Sequence, residues 1–127
     1  SGMANQTDAL YVLALDDKLI GCVDLHGMDL LANKAEIGYW LHSSYANQGI
    51  MSKAIHQLCT YAFHNLGLNR LAIVADVANT ASNQVALKNG FTFVGTEKEV
   101  AIKSGNYRDH NHYYLLKRDF MATTLDK

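Results

Sequence analysis

Lys34-Ala35-Glu36-Ile37-Gly38-Tyr39-Trp40-Leu41, then His42-Ser43-Ser44-Tyr45-Ala46-Asn47-Gln48-Gly49, then Ile50-Met51-Ser52-Lys53-Ala54-Ile55 and on to Leu66 is the stretch on which the fold turns. In its first part Ala35, Ile37 and Tyr39 alternate with Glu36, Gly38 and Trp40, the period of a half-buried strand with a different chemistry on each face. In its last part Ile50, Met51, Ala54, Ile55, Leu58, Ala62, Phe63 and Leu66 recur at three- and four-residue steps, the period of an amphipathic helix, and Gly67 stops it. The loop between them is small, polar and contains a glycine. A strand that feeds a helix through such a loop leaves the first backbone N–H groups of the helix unpaired beside the positive end of its dipole, an arrangement that suits a phosphate. The loop matches neither a P-loop nor the dinucleotide pattern G-x-G-x-x-G. Taken alone, an ordinary strand-to-helix turn accounts for these residues as well.

Working outward, 10–15 and 19–25 are apolar-rich runs joined by Asp16-Asp17-Lys18, which predicts a β-hairpin. Beyond the long helix, 71–75 reads as a short apolar strand. Asn79-Thr80-Ala81-Ser82 offers capping side chains for a second helix that ends at Asn89-Gly90. The segments 91–103 and 107–117 are extended and flank a turn at Ser104-Gly105-Asn106. The predicted order is ββ-β-α-β-α-β-β, a mixed α/β sheet with flanking helices. We expect one domain over 9–118, with 1–8 excluded as a leading scar and polar segment and 119–127 as a frayed tail.

The chain has 127 residues, enough for one packed core. Eleven Lys and Arg against twelve Asp and Glu leave a formal charge of -1, which gives no global field for nucleic acid or an anionic membrane. Any bound anion has to be held locally. Cys22 and Cys59 lie far apart without C-x-x-C spacing and are read as core residues of a reduced, cytoplasmic protein, and no run is long enough to span a membrane.

Several motifs in register are more specific than the loop alone. Glu36-Ile37-Gly38-Tyr39-Trp40-Leu41, Gln48-Gly49-Ile50-Met51-Ser52-Lys53-Ala54, Arg70, Asn79-x-x-Ser82, Val85-Ala86, Gly90-Phe91, Gly95 and Gly105-Asn106-Tyr107-Arg108-Asp109 follow one another in order. Over most of its length the sequence resembles the GNAT superfamily of acyl-CoA-dependent N-acyltransferases, in particular the Rim-type branch that acetylates protein N-termini. The resemblance implies a mixed, mostly antiparallel sheet with a splayed parallel strand pair. It also implies acetyl-CoA as co-substrate, its pyrophosphate cradled by the loop 46 to 52 (Asn47, Gln48, Gly49, Ile50, Met51, Ser52). The pantetheine arm would lie between the strands 34–41 and 70–76, bonded to Asn79, with the carbonyl of the acetyl thioester at its end polarised by backbone N–H groups near Leu41. Glu36 is then the expected base, facing the notch between those strands, and Ser82 the expected hydrogen-bond donor to the leaving sulfur. Many members place a Tyr where Ala86 stands here, which favours Ser82. Tyr39, Tyr107 and Asp109 are expected at the acceptor groove, and no metal is expected.

Three departures from the family pattern stand out. Of Gln/Arg-x-x-Gly-x-Gly/Ala only Gly49 survives, in Ala46-x-x-Gly49-x-Met51. Val94 stands where the Rim-type branch usually carries Glu, so Glu36, or else Glu97 or Glu99, has to serve. No counterpart is expected for the strand and helices that precede Leu10 in the family, so that either the sequence is shortened there or a partner chain completes the acceptor site; a side-by-side or strand-exchanged homodimer through the exposed edges is one consequence. His110 and His112 share a strand face but are too few for a closed zinc site. The expected acceptor is a protein N-terminal α-amine of ribosomal type. The alternatives are a small amine, such as a polyamine or aminoglycoside, and a non-catalytic CoA-binding or interaction module.

Overall fold

The computed structural model describes residues 7–46 and 48–125, with side chains described for 10–46 and 48–122. Six strands and three helices alternate as β1 (Thr7–Leu15), β2 (Lys18–Asp29), β3 (Lys34–Leu41), α1 (Ile50–His64), β4 (Arg70–Asp76), α2 (Thr80–Lys88), β5 (Thr92–Lys103), β6 (Asn106–Leu116) and α3 (Lys117–Leu125). The strands form one sheet in the order β1-β2-β3-β4-β6-β5, antiparallel except for β3 against β4. Local chemistry fixes both hairpins. Asp16 and Asp17 at φ 52 and 64, and Ser104 and Gly105 at φ 52 and 79, supply the paired left-handed residues that a two-residue turn needs to match strand twist.

The core lies between one face of the sheet and α1. Met51, Ile55, Leu58, Cys59, Ala62 and Phe63 are the buried residues of α1, and they meet Val23, Leu25, Ala35, Ile37, Leu71 and Ile73 from the strands. Each large aliphatic or aromatic side chain fully buried here contributes about 1.5–3 kcal/mol relative to exposure. Cys59 belongs to this core, and burial pushes its thiol up to about 12. Cys22 is half-buried on the other sheet face, opposite Trp40.

Three boundaries differ from the sequence reading by more than two residues, the first being β2, which runs on to Asp29 where its end is expected at Leu25. β1 begins at Thr7, and Lys117–Leu125 is helical where a frayed tail is expected. Phe120 is 5% exposed and its ring lies 5.2 Å from that of Phe63 and 5.4 Å from that of His56, so packing rather than helix periodicity holds this segment down. Among the described residues no helix is long and apolar enough to cross a membrane.

Candidate active site

The parallel pair is incomplete, and the site follows from that. β3 and β4 are matched from Lys34↔Arg70 to Ile37↔Ile73 and no further. Beyond that rung β3 continues on β2 as far as Leu41↔Gly21, while β4 continues on β6 as far as Asp76↔His110. Each strand is therefore held by its outer neighbour and the two part, which leaves backbone N–H and C=O groups of 38–41 and 74–76 facing an open notch.

α1 begins beside this notch. Its N-cap is Gly49, at φ 77, with no side-chain cap and no acidic residue in the first turn. The first α1-type bond here is from Lys53 N–H to the Gly49 carbonyl, 3.1 Å, so among the described residues the N–H groups of Ile50, Met51 and Ser52 have no acceptor within the chain. A residue with a side chain would be strained at this φ; glycine is what lets the loop turn its amides toward the helix axis. Asn89 clamps the far side, donating Nδ2 to the Ser52 carbonyl (3.3 Å) and Oγ (3.2 Å).

A groove of ≈ 190 Å³ runs from these amides to the notch. Gly49, Ile50, Met51 and Ser52 line one end, Tyr39 and Leu41 line the wall given by β3, and Asn79 and Ser82 come from the opening of α2. These are the residues expected from the sequence for the cofactor, with the acceptor-site candidate Tyr39 and the sulfur-partner candidate Ser82 among them. Asn47 lies outside the described residues. Gln48 instead donates to the Ser44 carbonyl at 3.4 Å, away from the groove lining.

Asn79 is the N-cap of α2, its Oδ1 accepting from the Ser82 N–H at 3.0 Å. Ser82 is thus not the cap, and among the described residues its Oγ has no hydrogen-bond partner. Tyr39 spans the groove, its hydroxyl donating to the Ser82 carbonyl at 2.8 Å. Burial pushes the Tyr39 phenol up to about 12, against the opposing effect of that bond and with Tyr113 adding to the rise, so it stays a donor at any physiological pH. Behind it Asn83 accepts from the Tyr113 hydroxyl and from Asn111 Nδ2 (2.8 Å), and donates to the carbonyls of Asp76 (3.0 Å) and Asn79 (2.7 Å), which fixes the α2 opening against β4 and β6.

The other expected residues lie elsewhere. Glu36 sits in the matched half of β3, opposite Ala72, on the sheet face away from α1; its Oε2 is 3.3 Å from His26 Nε2, and it does not line the groove. The reason is register: Glu36 precedes the last matched rung, so the notch opens beyond it. Tyr107 is exposed at the β5–β6 turn. Asp109 is engaged with the bulge of β5, accepting from the Glu99 N–H at 2.8 Å and standing 3.4 Å from Lys98 Nζ. That backbone bond first, and Lys98 next among the charges, holds its carboxyl below the ordinary range. Glu97 pairs with His112 at 2.9 Å. Among the described residues no three His, Cys, Asp or Glu gather as a metal site would require.

Trp40, Tyr45, Ala81, Gln84, Val85 and Lys88 also line the groove, and none of them is among the site residues expected from the sequence. Ala81, Val85 and Lys88 stand at i, i+4 and i+7 on α2, so helix period was the available signal.

The chain belongs to the GNAT acetyltransferase domain family, whose model matches residues 2–92. It is 40% identical over 108 residues to the putative ribosomal N-acetyltransferase YdaF of Bacillus subtilis (strain 168), covering 85% of this chain and 59% of that protein. It is 38% identical over 104 residues to the ribosomal-protein-serine acetyltransferase of Escherichia coli (strain K12), covering 82% and 58%. Among solved structures, RimL, a ribosomal alpha-N-protein acetyltransferase in complex with coenzyme A, superposes with a TM-score of 0.79 at 33% identity, covering 84% of this chain and 60% of that one. The chain thus spans about six tenths of the length of these relatives.

Proposed function

We propose that this chain transfers an acetyl group from acetyl-CoA to a primary amine, the α-amine of a protein N-terminus of ribosomal type. The observation that carries the reading is the start of α1 without a side-chain cap: among the described residues the amides of Ile50, Met51 and Ser52 meet no acceptor, at one end of a groove whose other end is the parting of β3 and β4. The names of the relatives at 38–40% identity support the acceptor class.

In this reading the loop from Asn47 to Ser52 holds the pyrophosphate, with Gly49 setting the turn and the α1 dipole adding to the attraction. Asn79, whose Oδ1 already caps α2, offers its Nδ2 to the pantetheine arm, which lies in the notch like an added strand. Unpaired N–H groups of β3 near Leu41 polarise the thioester carbonyl. The amine nitrogen, freed of one proton, attacks the carbonyl carbon; the new C–N bond forms and the C–S bond breaks. Ser82 Oγ donates to the departing sulfur, and the second proton leaves the nitrogen to the thiolate or to water. Glu36 removes the first proton through water across the sheet, and Tyr39 walls the acceptor side. Tyr107 and Asp109 belong to the outer rim of the acceptor path. The reading extends to a cytoplasmic homodimer joined at sheet edges, where Leu10, Val12 and Leu15 of β1 are exposed.

The test mixes the chain with acetyl-CoA and a panel of N-terminal peptides, polyamines and aminoglycosides, and follows free thiol. Thiol release with N-terminal peptides supports the proposal. Preference for a polyamine overturns the acceptor class, and a raised melting temperature without turnover on any acceptor overturns the enzyme in favour of a CoA-binding module.

A further inference from the structure

The outer face of the sheet, opposite α1, carries a side-chain arrangement of which the acyl-transfer reading uses Glu36 alone. Register sets His26 against Glu36 and Asp24 against Gly38. His26 Nδ1 lies 2.6 Å from Asp24 Oδ1, and its Nε2 lies 3.3 Å from Glu36 Oε2, so both ring nitrogens are met by carboxylates. Gly38 is the first residue of β3 beyond the last rung shared with β4. A Cβ on Gly38 would stand 3.0 and 3.1 Å from the two Asp24 oxygens and 3.2 Å from His26 Cε1. The missing side chain is what allows the Asp24 carboxylate to lie over β3 where the notch opens, on the side away from the cofactor groove.

Resting on the acyl-transfer reading but moving its base from Glu36 to the imidazole paired with it, we infer that Asp24 holds the ammonium of the incoming acceptor and that His26, bridged to Glu36, positions Asp24 and receives the ammonium's first proton. Asp24 and Glu36 give an acceptor-only pair that a cation satisfies; the imidazole between them converts that pair into a proton acceptor. The neutral imidazole takes one N–H proton by way of the Asp24 carboxylate and becomes an imidazolium donating to both carboxylates. The free amine lone pair then attacks the thioester carbon, the C–S bond breaks, and the imidazolium later returns its proton to water.

Burial of His26 resists its protonation, but the hydrogen bond that the ring donates to Asp24 and the charges of Glu36 and Asp24 outweigh it, so the ring titrates above its ordinary value. The other groups facing this cluster are few. β3 and β4 carry Lys34 and Arg70 at the far end of the matched half, β2 carries Cys22, and β1 sets Leu10 and Val12 beside Asp24 and Cys22.

The experiment compares the chain with the Asp24→Asn, His26→Gln and Gly38→Ala variants, using acetyl-CoA and the best acceptor from the panel above. For the unaltered chain, kcat/KM for the amine rises with pH with a midpoint above the ordinary histidine value of about 6.5. Asp24→Asn raises the acceptor KM roughly tenfold, the loss of one charge-assisted hydrogen bond, and leaves the acetyl-CoA KM unchanged. Gly38→Ala keeps all three groups and reproduces that rise by displacing the carboxylate. His26→Gln removes the rising limb of the profile. Histidine NMR titration reads the same cluster without turnover: the His26 midpoint falls in Asp24→Asn. Active variants with an unaltered pH profile and acceptor KM overturn this inference and leave the transferase reading standing. Absence of turnover by the unaltered chain on every amine overturns both.

Discussion

The Tyr39 hydroxyl donates to the backbone carbonyl of Ser82 across the mouth of the groove, joining β3 to the first turn of α2 over 2.8 Å. This bond links the wall of the notch to the helix that carries the proposed sulfur partner, so one side chain sets the width of the groove.

Tyr39→Phe removes the donor and leaves a partly buried carbonyl without it. We expect a loss of about 1 kcal/mol in stability and a raised KM for acetyl-CoA. Thermal unfolding with and without CoA, together with initial rates, measures both.

Gly49→Ala tests the cradle without a clash, because a Cβ there meets nothing within 4 Å and only the backbone conformation at φ 77 is strained. The expected cost is about 1–2 kcal/mol, with CoA affinity falling as the amides turn away. Isothermal titration with CoA reads the second effect; an unchanged affinity would remove the loop from the site.

Ser82→Ala is expected to lower kcat at least tenfold while CoA affinity holds, since Oγ takes no part in capping α2. Unchanged turnover takes the sulfur-partner role from Ser82.

Asp76 accepts from Arg108 Nε at 2.8 Å and Nη2 at 2.6 Å, and from the Ala78 N–H at 2.8 Å. Chiefly the Arg108 guanidinium holds its carboxyl far below the ordinary range. A depressed folded value means that the stabilisation is complete above the ordinary Asp value of about 3.9 and is lost as pH falls below it. Melting temperatures of the chain and of Asp76→Asn should therefore differ most at neutral pH and converge in acid.

Phe120→Ala should cost about 3 kcal/mol by opening a void against Phe63. A loss under about 0.5 kcal/mol in urea unfolding would show that α3 adds nothing to the core.

Much of this fold was legible because its signals were local. The alternation in Lys34–Leu41, the period of α1 and the Asp16-Asp17 and Ser104-Gly105 turns each follow from a few neighbouring residues. The loop before α1 was legible for the same reason, from one glycine between a strand period and a helix period. Glu36 shares a sheet face with Gly38 and Trp40, as the alternation along β3 predicts. What a single strand cannot encode is where its pairing with β4 stops, which depends on β2 and β6 pulling the two strands apart. His26 was invisible for a similar reason: its meeting with Glu36 exists only once the β2–β3 register is fixed. α3 lacks a clear apolar stripe, and its order comes from Phe120 finding a place between Phe63 and His56.

The strand order β1-β2-β3-β4-β6-β5 also bears on how the chain finds its shape. The meander of the first three strands needs only short loops to close, whereas seating β6 against β4 requires α2 and β5 to be laid aside first, a closure of higher contact order. The notch lies on the seam between an early-zipping half and a late-docking half. Amide exchange across Val74–Asp76 should accordingly be slowest to gain protection during refolding, and competence to hold a ligand should arrive only with that final docking.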